Sequence, residues 1–129
     1  MAGYLQAISR ATGGSGNVIT ASSGNVANAS AVASLPAVAN RTNYITGFEI
    51  TSTGSTAASI VTVTITGITN TLSYTYASVA GVSLANQPYF VELPQPVPAS
   101  AANTAITVTV PALGAGNTNC TVNVHGLLR

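Results

Sequence analysis

The sequence predicts an all-β domain: an antiparallel sandwich or jelly roll with an extended N-terminal arm. Apolar residues alternate with Ser, Thr and Asn through much of the chain, and Gly, Asn and Pro separate the alternating segments. Beyond the first ten residues no segment has a convincing helical period. Periodicity alone leaves a sandwich, a jelly roll and a small barrel open.

The alternation marks half-buried strands, because successive side chains of a strand point to opposite faces. In one such segment Val61, Val63 and Ile65 share a face. The segment that starts at Tyr89 is expected to end at Pro94, since Pro has no amide proton to donate to a ladder. The predicted strands lie at 42–50, 60–66, 72–76, 89–93, 106–110 and 119–125.

The chain of 129 residues is long enough for one domain, and its composition changes near residue 40. Residues 1–40 are rich in Ala, Ser, Gly and Asn, which predicts an arm at 1–40 and a sandwich domain at 41–129. A competing interpretation is that 26–38 supplies the first strand of the sandwich. The arm's candidate interface residues are Tyr4, Leu5, Ile8 and Arg10.

The chain carries very little charge. Only 4% of its residues are charged, whereas about a quarter are charged in an ordinary domain. Burying a hydroxyl or an amide costs far less than burying an ion, so such a surface tolerates association. Its three arginines form no basic patch and no apolar run reaches the ~20 residues of a membrane span, so we expect neither a nucleic-acid nor a membrane partner.

The chain offers few groups for catalysis. Cys120 and His125 are five residues apart in a predicted strand and should face opposite ways, which rules out a local Cys–His pair. Glu49 and Glu92 are the only carboxylate side chains, and we expect each to pair with an arginine or to face solvent. The sequence therefore predicts no enzyme, with no catalytic, cofactor-binding or metal-binding residue.

Two surface patterns each have a functional and a structural interpretation. The row of Thr62, Thr64 and Thr66 could belong to an ice-binding face, but Thr is also a good strand former on an exposed face. Tyr74, Tyr76 and Tyr89 could form a platform for sugars, but Tyr is common in strand cores. The structural interpretation is favoured in both cases.

Three phrases carry a family resemblance: TNYITGFEI at 42–50, FVELPQPVPA at 90–99 and NTAITV at 103–108. Over roughly residues 41–127 the chain resembles small virion structural proteins of tailed bacteriophages, most of all head decoration (cement) proteins. The resemblance implies a protein made in the bacterial host cytoplasm and located on the capsid surface. Its implied partners are the major capsid protein and further copies of itself, with a trimer favoured. The alternative is a binding module of a phage tail or fibre that recognises carbohydrate or a host surface.

Overall fold

The computed structural model describes residues 16–82, 88–114 and 118–129, and these residues form nine strands. The described part contains no helix long and apolar enough to span a bilayer. The prediction of an all-β chain is confirmed. The strands are β1 (Asn17–Ser22), β2 (Val26–Ala27), β3 (Ala31–Leu35), β4 (Asn43–Thr53), β5 (Ser59–Thr66), β6 (Leu72–Ser78), β7 (Tyr89–Pro98), β8 (Ile106–Val110) and β9 (Asn119–Leu128).

The strands form two antiparallel sheets that pack face to face as a β-sandwich. Sheet I has the order β1-β9-β4-β7, and β2 also pairs with β9. Sheet II has the order β3-β8-β5-β6. Each pairing between these strands is antiparallel. The edges are therefore β1 and β7 in sheet I, and β3 and β6 in sheet II.

The core lies between the sheets and follows the predicted alternation. In β5, Val63 and Ile65 are fully buried, while Thr62 and Thr66 are exposed on the outer face. Burying one such aliphatic side chain stabilises the fold by roughly 1.5–3 kcal/mol. The largest buried apolar side chains are Phe48, Leu35, Ile45, Ile50, Ile65, Ile106, Val63, Val108, Val110, Val122 and Val124.

The N-terminal strands belong to the sandwich, so the prediction of a separate arm at 1–40 is wrong for residues 17–35. Strand β3 pairs with β8 along its whole length, and Ala31, Ala33 and Leu35 are at most 1% exposed. Alanine is a weak strand former, but its small side chain suits a position between closely packed sheets. The competing interpretation is correct that 26–38 contributes a strand to the sandwich, but this strand, β3, is the third of the chain and not the first. Residues 1–15, with the candidate interface at Tyr4, Leu5, Ile8 and Arg10, lie outside the described residues.

Strand β7 does not end at Pro94, as the sequence predicted, but continues to Pro98. It is the edge strand of sheet I, where a proline can turn its nitrogen away from the ladder. Its pairing with β4 shifts register: Ile45 lies opposite Val97, and Gly47 lies opposite Glu92. Residues 93–96 therefore bulge out of the ladder.

The same register shift bends β4 and positions the groove described below. Ile45 and Phe48 are both buried, with Thr46 and Gly47 between them, so the strict alternation is broken by one residue. The backbone of β7 passes close to Gly47: a Cβ atom there would lie 2.5 Å from the carbonyl oxygen of Val91. Glycine is thus required at this point by the close approach of the neighbouring strand.

Candidate binding groove

The outer face of sheet I carries a groove of about 400 Å³ across β9, β4 and β7. This volume is within the range of about 300–1,000 Å³ that is typical of ligand pockets. Polar and apolar residues both contribute to its walls. The lining residues are Thr46, Gly47, Phe48, Glu49, Phe90, Val91, Glu92, Leu93 and His125.

Strand register brings the polar lining residues together. Gly47 lies opposite His125 of β9 and Glu92 of β7, and these three positions form one row across the sheet. Glu49 forms the next row, opposite Asn123 and Phe90. Side chains directly opposite each other have Cβ atoms about 5 Å apart, and diagonal neighbours are about 7–8 Å apart. Gly47 lines the groove between His125 and Glu92 and adds no side chain to it.

Glu49 is held in place by its neighbours on β9. Its Oε1 accepts a hydrogen bond from Nδ2 of Asn123 at 3.0 Å and lies 3.6 Å from Nε2 of His125. The Glu49 side chain is 25% exposed and that of His125 is 44% exposed. The expectation that Glu49 pairs with an arginine or faces solvent is therefore wrong, because its partners are an amide and an imidazole.

Glu92 is exposed, which agrees with the expectation that an unpaired carboxylate faces solvent. It makes no hydrogen bond or ion pair with any described residue. The groove thus contains one carboxylate that its neighbours hold in position, Glu49, and one that can still bind a partner, Glu92. Glu49 and Glu92 are the only acidic side chains of the chain, and His125 is its only histidine.

Sequence reasoning missed this convergence. The three residues lie on strands far apart in the chain, and only the order β9-β4-β7 makes them neighbours. The usable signal was that Glu49, Glu92 and His125 all occupy outward positions of alternating segments. That signal identifies a face but not which strands share it.

Cys120 and His125 face opposite ways, as predicted. Cys120 is 4% exposed and packs in the core, while His125 lies on the outer face. Burial raises the pKa of the Cys120 thiol to about 11, which keeps it in the unreactive thiol form at neutral pH. The described ranges contain no group of three or more His, Cys, Asp or Glu side chains that could hold a metal ion.

The buried thiol predicts a loss of stability at alkaline pH. The unfolded chain loses the Cys120 proton near pH 9 and the folded protein near pH 11, so the folded state binds more protons between these values. The free energy of unfolding should fall as the pH rises through this window, by about 1.4 kcal/mol per pH unit at most. Urea denaturation at pH 8, 9, 10 and 11 measures the slope.

The Cys120→Ala variant is the control for this prediction. In this variant the free energy of unfolding should no longer fall between pH 9 and pH 10, but it should still fall above pH 10. That decline comes from Tyr76, whose pKa is raised by burial and, to a lesser extent, by Cys120 and lowered by its hydrogen bond with Ser52. An equal slope in the variant and the parent protein would show that the thiol is hydrated in the folded state.

The tyrosines do not form an exposed platform, which agrees with the structural interpretation of their pattern. Tyr76 is 8% exposed, and its ring centroid lies 5.5 Å from that of Tyr89. Tyr74 packs edge-on against Phe48, with centroids 5.3 Å apart. These rings belong to the core and its margin.

The threonine row of β5 is part of a larger surface, here called the hydroxyl face. Register aligns Thr64 with Thr109 of β8 and with Ser73 of β6, so hydroxyl groups continue across the outer side of sheet II. The four strands of this sheet contain no charged residue. The residues of the hydroxyl face are Ser34, Thr62, Thr64, Thr66, Ser73, Thr75, Thr107 and Thr109.

Comparison with protein families, with curated proteins and with solved structures gave no match to this chain.

Proposed function

We propose that this protein is a virion structural protein: a capsid decoration protein that oligomerises and stabilises the phage head by bridging capsid subunits. The observation that carries the proposal is the absence of charge from the strands of sheet II. The outer side of that sheet consists of the hydroxyl face and of exposed aliphatic residues, with Val32 46% and Ile60 78% exposed.

Such a sheet suits packing against another protein. Burying hydroxyl groups at an interface costs much less than burying ions, and hydrogen bonds to the partner offset that cost. Soluble proteins usually protect exposed edge strands with charged residues or proline. The edge strands β3 and β6 contain neither, so both leave main-chain groups open to pairing.

The proposed mechanism is non-covalent bridging. Each copy would bind neighbouring subunits of the major capsid protein and stabilise them by mass action, and several weak contacts together would give high avidity. A closed oligomer, with a trimer favoured, would cover edges that otherwise drive open-ended association. Tyr4, Leu5, Ile8 and Arg10 are proposed to add contacts to the same partners. The protein would be made in the bacterial cytoplasm and function on the capsid surface.

The proposal includes no catalysis, although the groove brings two carboxylates together. Glycosidases need one carboxyl group that stays protonated, usually because apolar surroundings disfavour its charged form. Glu92 is exposed to water, and Glu49 accepts a hydrogen bond from Asn123. Neither side chain is enclosed by apolar residues in the way such a carboxyl group requires.

The role of sheet II is tested by placing a charge on its outer side. The wild-type protein should form a closed oligomer at micromolar concentration in light scattering. Ile60→Lys should weaken self-association at least tenfold, and a tenfold change corresponds to about 1.4 kcal/mol. A lysine that is buried in the interface without a partner costs more than this. It should still unfold cooperatively, because the site is 78% exposed in the single chain.

The matched control is Val18→Lys, which charges the outer face of sheet I at a residue that is 64% exposed. It should leave the oligomer intact. With purified phage heads that lack the protein, wild type and Val18→Lys should co-sediment and Ile60→Lys should not. A wild-type protein that stays monomeric and binds no heads would refute the proposal.

A carbohydrate-binding module of a phage tail or fibre is the second candidate, and the groove favours it. Phe90 is 64% exposed at the groove, where its ring could stack on a sugar. The tyrosines give this candidate no support, since Tyr76 is buried and its ring contacts that of Tyr89.

A further inference from the structure

We propose that the groove on sheet I binds the guanidinium group of an arginine that a partner protein presents. This deepens the proposed function, on which it rests for the partner being another protein subunit. The proposed contacts are the carboxylates of Glu49 and Glu92 and the ring of Phe90.

The first argument is the placement of charge. Glu49 and Glu92 are diagonal neighbours on paired strands, about 7–8 Å apart, where two like charges repel by about 0.5–2 kcal/mol. A chain with only two acidic residues could have separated them at no cost. A cation bound between them would replace the repulsion by two attractions.

The chain's own described cations are engaged elsewhere. Arg41 donates a hydrogen bond through Nη2 to the carbonyl oxygen of Leu128 at 3.1 Å. The guanidinium carbon of Arg129 lies 4.7 Å from the ring centroid of Tyr44. Neither of these two arginines lines the groove, and the proposal takes the complementary cation from a partner protein.

The second argument is the aromatic ring beside the carboxylates. Phe90 lies directly opposite Glu49 in the ladder. Its side chain is 64% exposed, although burying so large an apolar side chain would stabilise the fold. A cation near an aromatic ring gains about 0.5–1 kcal/mol at an exposed site. A guanidinium is favoured over an ammonium because its plane stacks on the ring while its donors reach both carboxylates.

The third argument is the shape of the groove. Gly47 lies between His125 and Glu92 in the lining of the groove, and the hydrogen bond from Asn123 holds the Glu49 carboxylate in position. A positioned group binds with a smaller loss of side-chain entropy. An exposed ion pair is worth only about 0.2–1 kcal/mol, so two of them and the ring contact together supply about 1–3 kcal/mol. An isolated arginine should therefore bind with a Kd on the order of 10–100 mM.

The test is an NMR titration of the ¹⁵N-labelled protein with N-acetyl-arginine methylamide. The amide signals of Gly47, Phe90, Glu92 and His125 should shift and saturate. N-acetyl-citrulline methylamide has nearly the same shape without the charge and should produce no saturable shift. Shifts that are equal for both compounds, or that do not saturate, would overturn the proposal.

Two exposed substitutions that change net charge sharpen the test. Glu92→Gln should weaken arginine binding by about threefold or more, whereas Arg129→Gln, which lies outside the groove, should not weaken it. Saturable binding of a neutral oligosaccharide at the same signals, without a response to arginine, would instead favour the carbohydrate module. Self-association through sheet II is measured separately, so failure of the groove proposal and failure of the proposed function give different results.

Discussion

A protein that starts at Asn40 is expected not to fold. It would lack β1, β2 and β3, and with them Ala31, Ala33 and Leu35 from the core. Losing a single buried leucine side chain costs about 2–5 kcal/mol, and a whole domain is stable by only about 5–15 kcal/mol. The truncated chain should be insoluble or show no cooperative transition when circular dichroism follows its thermal unfolding.

The matched control is a protein that starts at Gly16 and retains all nine strands. It should unfold cooperatively, with a midpoint close to that of the full chain. If residues 1–15 contribute binding contacts, this shorter protein should fold and yet bind phage heads more weakly. A cooperative transition in the protein that starts at Asn40 would show that the first three strands are dispensable.

The N-terminal strands show where sequence reasoning fails. Segments 60–66 and 106–110 were predicted correctly because Val and Ile alternate with Thr, and both the pattern and the strand propensity of these residues indicate the same structure. The segment at 31–35 alternates as well, but its inward residues include Ala31 and Ala33. Because alanine is small, its alternation with polar residues gives only a weak signal for a strand in the sequence. A small side chain nevertheless fits well in the space between the two sheets.

The groove could not have been predicted for a different reason. Glu49 and Glu92 become neighbours only because β4 pairs with β7 in a register that places Gly47 opposite Glu92. Strand order and the position of a bulge depend on the packing of the whole domain, and local alternation carries no information about them. The sequence therefore predicts which residues face outward but not which of them meet.

The two outer faces differ in a way that suggests two kinds of contact. Glu49, Glu92 and His125 lie in sheet I, and Arg41 and Arg129 flank its strands β4 and β9. Sheet II has hydroxyl groups and aliphatic residues instead. An uncharged face suits packing against a like face, while a face with separated charges suits recognition of a specific partner group. The proposals assign self-association to sheet II and arginine recognition to sheet I on this basis.

Asn43 is the buried polar residue whose replacement should be most costly. It is 1% exposed, at the start of β4. Its Nδ2 donates to the carbonyl oxygens of Pro36 at 2.8 Å, Thr104 at 3.0 Å and Leu35 at 3.3 Å. One side chain thus joins the end of β3 to the segment before β8, so that it links the two sheets at one end of the sandwich.

Asn43→Ala should lower the free energy of unfolding by about 1–3 kcal/mol, because it takes the donor from one buried and two partly buried carbonyl oxygens. The loss is limited because the buried Oδ1, which has no hydrogen-bond partner among the described residues, is removed as well. Asn43→Asp should cost at least as much, since it removes the donors and adds an acceptor. Asn25→Ala is the matched control: its amide bonds to Asn119 at an exposed site, and its loss should cost less than about 0.5 kcal/mol. Urea denaturation at pH 7 compares the three variants. A loss below about 1 kcal/mol for Asn43→Ala would mean that water reaches the three carbonyls, and that the end of the sandwich is held by the packing of Leu35 and its neighbours instead.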